Sequence, residues 1–215
     1  MTTPKAPELV TFNELGLSFS NQDVLLLGLW IVTSAKIQKV RHDVHSTTKD
    51  SRDYSYTRKT VPPLYHPDQP APQRIIDLVS ELYQATKERY SAYLGRPLDY
   101  LDTRYATTGL LHLAGDQETE GHTDYHPSAN AYAQVPSEGG RLYIARTREA
   151  RTIEAIREDG YEVVPEPNTV ALFEGNQFAH FVGSIPPSAS GFRAGINLSY
   201  RDQSVQASQD SHVRQ

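Results

Sequence analysis

His122, Asp124, His180 and Arg193 are the residues whose types and spacing could do chemistry. Side chains at i and i+2 of an extended strand point the same way, so His122 and Asp124 can grip one metal ion from one side. A third ligand must come from elsewhere. Thr169–Phe173 reads as a buried strand, Glu174-Gly-Asn176 as a turn, and the strand that follows carries His180, Phe181 and Val182. Two histidines and one carboxylate leave coordination positions open, which suits reactive iron rather than a closed structural zinc site.

The order of these residues resembles the 2-oxoglutarate/Fe(II)-dependent dioxygenases, in particular their prolyl 4-hydroxylase-like branch. His-x-Asp, a distant His and an Arg a dozen or so residues beyond it carry the resemblance, with supporting residues in the order that branch shows. These are Gly115 upstream, Gly139-Gly140-Arg141-Leu142 after the metal strand, Val170 to Gly175 before His180, and Phe192-Arg193 opening the last strand. Together they span roughly residues 105 to 201. The resemblance implies a mainly β fold with flanking helices, a double-stranded β-helix of the jelly-roll, cupin-like kind. It implies Fe(II) on His122, Asp124 and His180, with 2-oxoglutarate as cosubstrate and O2 as oxidant. Arg193 would take the remote carboxylate of the cosubstrate, since a guanidinium fork binds a carboxylate bidentately in a site screened from water. Because Asp124 is a carboxylate where related halogenases have a small residue, hydroxylation is the expected outcome.

Two positions depart from the pattern. Where the family has a Tyr ten residues before the first metal histidine, this chain has His112, expected still to donate to the cosubstrate. Where the family often has a Ser two residues after the Arg, Gly195 stands. Asn197, on the strand face of Arg193, is the expected replacement for that hydroxyl. Tyr132, on the strand after the ligands, is open between pocket and core, as are Arg141, Tyr143 and Asn176. A rival zinc pair, His122 with His126 at helical spacing, is disfavoured because Pro127 restricts the residue before it and no catalytic glutamate adjoins the first His.

The elements that position these residues read as follows. Leu9–Phe12 is a short strand and Val24–Val32 a continuous apolar run expected to be a buried strand with Trp30 in the core. Residues 41 to 69 show no periodicity and read as a long loop, either solvated surface or a lid over the substrate. His42, Asp43 and His45 within it lack the ligands to complete a second metal site. Pro72 opens a helix whose stripe is Ile75, Ile76, Val79, Leu82, Tyr83, Tyr90 and Leu94, ended by Gly95 and Pro97. It is expected to pack on the outside of a sheet. Thr152–Asp159 is open between helix and strand.

Composition bounds the rest. The chain has 215 residues and fits one domain, 1–215, with 1–8 and 202–215 expected to be disordered. A net charge of −5 argues against nucleic acid held by bulk electrostatics. There are no cysteines, which excludes disulfides and thiol catalysis. No apolar run is long enough to span a bilayer and the N-terminus lacks a signal pattern, so a cytoplasmic protein is expected. With no obvious extended groove or partner domain in so short a chain, a small polar molecule is the expected substrate. The substrate is an amino acid, a specialised-metabolism intermediate, or, on a second reading, a peptidyl residue. A hypothesis of another class is a cupin-like protein that binds a metal or small ligand without oxygen chemistry.

Overall fold

A computed structural model describes residues 4–34, 36–39, 57–60, 71–101 and 106–204 of the chain. Along it run β1 (Glu8–Thr11), α1 (Asn21–Ser34), β2 (Lys36–Lys39), β3 (Thr57–Thr60), α2 (Gln73–Leu94), β4 (Leu98–Tyr100) and β5 (Thr107–Leu113). Then follow β6 (Ser128–Gln134), β7 (Leu142–Ile144), α3 (Ile153–Asp159), β8 (Tyr161–Val163), β9 (Thr169–Leu172), β10 (His180–Val182) and β11 (Phe192–Asp202). The pairings are antiparallel. A large sheet has the order β1-β9-β6-β11-β5-β3-β2 with β4 also on β11, and a small sheet has the order β10-β7-β8. This is the jelly-roll arrangement, mainly β, with α1 and α2 against the large sheet and α3 against the small one.

Alternation along β11 divides the molecule. Ala194, Ile196, Leu198 and Tyr200 are buried in a cluster with Leu27 and Ile31 of α1 and Ile75, Leu78, Val79, Leu82 and Tyr90 of α2. Arg193, Gly195, Asn197 and Ser199 therefore occupy the opposite face, inside the roll. A second cluster, including Tyr132, Ala171, Phe173, Phe178 and Phe181, packs between the sheets and takes Ile153 and Ile156 of α3. Burying each large apolar side chain stabilises the fold by about 1.5–3 kcal/mol, so α2 is fixed chiefly by its stripe on the sheet. At its end Gly95 adopts φ 67°, and the Gly95 and Arg96 amides bond the Ala92 and Ser91 carbonyls. A left-handed residue there closes the helix as the sequence pattern expects.

Several expectations are corrected. Val24–Val32 lies within α1, not in a strand. Leu25, Leu26 and Leu29 stay exposed while Val24, Leu27 and Ile31 are buried, so the run is apolar around the whole helix and periodicity cannot mark its buried face. Trp30 is partly buried against the core. Residues 4–8, expected to be disordered, are held in place: Glu8 pairs with Leu172, Lys5 donates to the Tyr93 carbonyl, and the Tyr93 hydroxyl lies 3.2 Å from the Lys5 and Ala6 carbonyls. Asp202 ends β11 and pairs with Arg96 at 2.8 Å, so the ordered chain reaches beyond 201. Within the expected 41–69 loop, Thr57–Thr60 is a strand pairing with β2 and β5, while 41–56 and 61–69, with His42 and His45, lie outside the described residues. Thr152–Asp159 resolves to a helix because the Thr152 hydroxyl accepts from the Ala155 amide as an N-cap. Among the described residues no helix is long and apolar enough to cross a membrane.

Candidate metal centre

His180 opens β10, and its amide and carbonyl exchange hydrogen bonds of 2.9 and 3.0 Å with His122. This isolated bridge is all that exists of the expected metal strand. Asp124 lies beyond it in a loop, where its amide donates to the Gly175 carbonyl at 2.9 Å. The loop after β9 thus places the carboxylate, which strand alternation was expected to do. The three side chains offer one ligand atom each within 4.8 Å of one another.

The imidazoles are oriented by carbonyls. His122 Nδ1 lies 2.9 Å from the Glu120 carbonyl and His180 Nδ1 3.3 Å from that of Phe178. A carbonyl can only accept, so each Nδ1 carries the proton and each Nε2 presents a lone pair. Those Nε2 atoms sit 3.9 Å from Asp124 Oδ1 and 3.7 Å from Asp124 Oδ2 respectively. Asp124 Oδ2 is buried and has no hydrogen-bond partner. Burial pushes His180 down to about 4, with His122 and Arg193 acting in the same direction and Asp124 against it. His180 is therefore neutral and ligand-competent at physiological pH. Exposure rises from 5 % for the His180 side chain through 17 % for Asp124 to 45 % for His122, so the centre opens on the His122 side.

Gly175 belongs to this geometry in a way the sequence shows only as a turn signal. A Cβ there would lie 2.9 Å from Asp124 Oδ2, 3.1 Å from His180 Cε1 and 2.6 Å from the Phe173 ring. The backbone passes behind two of the three candidate ligands, so any larger residue would have to push one of these side chains aside.

Arg193 is 1 % exposed. Its Nη1 lies 3.3 Å from His112 Nδ1, its Nη2 donates to the Tyr132 hydroxyl at 3.3 Å, and its Cζ is 5.0 Å from the centre of the Tyr132 ring. Nε is buried without a partner. Arginine has no lone pair to offer, so His112 Nδ1 accepts and the imidazole proton sits on Nε2. A buried cation contacting only neutral groups among the described residues is costly unless an anion joins it.

The other expected site residues divide. Tyr132 and His112 flank Arg193, opposite Gly195 and Arg193 in the sheet register. Asn197 does not replace the missing hydroxyl beside Arg193: it lies four residues along β11, roughly 13 Å away at strand rise, and donates to Asn130 Oδ1 at 3.1 Å. No hydroxyl fits at Gly195 itself, because β6 carries a bulge there and a Cβ would meet the Ala131 carbonyl oxygen at 2.5 Å. Arg141 pairs with Glu162, and Tyr143 stacks on Phe181 at 4.8 Å, alternate to the His180 face of the small sheet. His126 packs against the exposed Tyr125 and is not drawn into the ligand group. Asn176 Oδ1, next to Gly175, is buried and unbonded.

No family model matches the sequence, and no curated protein matches it. Solved structures do. A prolyl hydroxylase from Trichoplax adhaerens in complex with a hypoxia inducible factor peptide has a TM-score of 0.58 at 15% identity, over 94% of this chain and 86% of that one. AviO1 from Streptomyces viridochromogenes Tue57 also reaches 0.58, at 16% identity over 94% and 91%. The chain has the prolyl hydroxylase fold. The non-heme alpha ketoglutarate dependent carbocyclase SnoK from nogalamycin biosynthesis shares it, with a TM-score of 0.57 at 14% identity over 92% and 79%. Within this prolyl hydroxylase fold, the triad bridges the small sheet and a loop while Arg193 stands on the large sheet facing it.

Proposed function

We propose that the chain is a single-domain Fe(II)- and 2-oxoglutarate-dependent dioxygenase that hydroxylates a C–H bond of a small polar substrate. The observation that carries this reading is the pairing of an unsatisfied ligand set with an uncompensated cation. Two Nε2 lone pairs and a buried, unbonded Asp124 oxygen converge within 4.8 Å, and a buried guanidinium without an acidic partner among the described residues stands across the roll. A divalent metal satisfies the first, and a dicarboxylate that reaches from it satisfies the second. The protein described as alpha ketoglutarate dependent and sharing the fold supports the choice of cosubstrate.

His122, Asp124 and His180 would hold the metal as a set of two imidazoles and one carboxylate. When bound, Fe(II) supplies oxygen activation coupled to decarboxylation, so that substrate, 2-oxoglutarate and O2 give hydroxylated substrate, succinate and CO2. Arg193 would bind the remote carboxylate through its free Nε edge, and His112 offers Nε2–H as a donor in the position the family gives to Tyr. Tyr132 shields the guanidinium from water, which strengthens its hold on an anion. Among proteins of this fold one was captured with a peptide and another is a carbocyclase of a biosynthetic pathway, so small-molecule and peptidyl substrates are both represented.

The deciding experiment is succinate release from 2-oxoglutarate by anaerobically iron-loaded protein on exposure to O2. Release that needs iron and disappears in Asp124→Ala and Arg193→Ala supports the dioxygenase. Tight iron binding with no succinate under any tested condition would replace it with a metal-binding protein of the same fold.

A further inference from the structure

The inner face of the large sheet has two halves of different chemistry. Register places His112 opposite Arg193, Leu110 opposite Gly195 and Thr108 opposite Asn197, and on the other side Tyr132, Asn130 and Ser128 opposite Gly195, Asn197 and Ser199. One half is the cationic pocket already described. The other is Thr108, Ser128, Asn130, Asn197 and Ser199, with no ionisable group. The inward faces of a two-sheet roll are normally apolar, so five adjacent hydroxyl and amide side chains there are the informative exception.

This row adjoins the metal centre. Ser128 follows Asp124 by four residues. The Tyr90 hydroxyl reaches both the Ser128 carbonyl, at 3.0 Å, and the Phe173 carbonyl, at 2.7 Å, and the Phe173 ring lies edge-on to His180 at 5.0 Å. Hydrogen counting shows that the row is not saturated by its own bonds. Ser128 Oγ is within 3.0 Å of both the His126 carbonyl and Ser199 Oγ, and Ser199 Oγ is 2.8 Å from Asn197 Oδ1. Two hydroxyl hydrogens serve three contacts. Asn197 uses one of its two amide hydrogens on Asn130, and the Asn130 amide donates to no other described residue. Both of those hydroxyl hydrogens are engaged, so the donors left over in the row are the Asn130 amide and the second amide hydrogen of Asn197.

We infer that Thr108, Ser128, Asn130, Asn197 and Ser199 form the specificity surface for the substrate, and that it takes an uncharged, oxygen-rich portion of a small molecule such as a polyol or glycoside. The inference rests on the proposed dioxygenase reading. Free amino acids are disfavoured because the row offers their ammonium and carboxylate no counter-charge, and burying either unpaired is costly.

The test uses the full chain loaded with Mn(II) and 2-oxoglutarate in the absence of O2, where the paramagnetic metal shortens the NMR relaxation of any molecule bound beside it. The probes are methyl β-glucoside and myo-inositol against proline, lysine and glutamate. Neutral probes are expected to relax faster, and Asn130→Leu or Asn197→Leu to bind them about tenfold more weakly, the order expected for lost donors. Asn197→Asp preserves size while removing the NH2 donors and should weaken the same probes, which separates recognition from a folding defect. Preference for the amino acids, no neutral probe bound, or unchanged affinity in Asn197→Asp overturns the assignment. The 2-oxoglutarate signal in the same sample reports separately: its absence would count against the dioxygenase reading itself.

Discussion

At Gly175 the backbone runs so close to Asp124 and His180 that one methyl group would push against a candidate ligand. Gly175→Ala is expected to lower metal affinity at least about tenfold, the scale seen when groups that orient ligands are disturbed. An equilibrium Mn(II) titration checks this, and unchanged affinity would show that the loop yields without moving the carboxylate. His180 carries a pH signature. Its folded value of about 4 lies below the unfolded value of about 6.5, so the unfolded chain takes up a proton first as pH falls. The metal-free protein is therefore expected to keep this stabilisation above about pH 6.5 and to lose it progressively down to about pH 4, on the order of 3 kcal/mol in total. Urea midpoints across that range test the sign, and in His180→Phe the decline should flatten.

Among the elements, β11 carries the most. One face of it builds the core under the helices while the other presents Arg193 and the neutral row, and the bulge in β6 falls opposite Ala194 and Gly195. Restoring the family's serine is expected to fail here. Gly195→Ser would press a Cβ into the Ala131 carbonyl and cost about 1–3 kcal/mol as overpacking, with no gain in 2-oxoglutarate affinity. Thermal unfolding and a cosubstrate titration of the variant read the two effects separately. Tighter cosubstrate binding would mean that the bulge can relax. The sequence marked Gly195 as a departure and expected Asn197 to fill the gap, but it could not show why no side chain fits, because a bulge on β6 leaves no mark on β11.

For the whole molecule, the candidate site draws on three places: a loop and the small sheet for the triad, and the large sheet for Arg193. Metal and 2-oxoglutarate together would join parts that are otherwise held by packing between the sheets. Binding to the folded state alone stabilises by about 2.7 kcal/mol at a hundredfold excess over Kd. The melting temperature is expected to rise with Mn(II), to rise further with Mn(II) plus 2-oxoglutarate, and to respond much less to 2-oxoglutarate alone. Equal shifts with and without metal would separate the cosubstrate from the triad.

The sequence by itself determined the candidate ligand set, the helix of α2 and the strands that carry His180 and Arg193, because these depend on local periodicity and on residue chemistry at fixed spacing. Tertiary structure decided what depends on neighbours distant in the chain. Val24–Val32 is equally apolar as helix or strand, and only packing of α1 against β6, β11 and α2 distinguishes them. Asn197 shares a face with Arg193, yet the register that pairs it with Asn130 assigns it to the neutral half. Asp124 is brought to His180 by a hydrogen bond to Gly175, fifty-one residues away in sequence. Side-chain alternation is a local property, but register, bulges and loop contacts are set by which strands meet, and that is settled only when the whole roll closes.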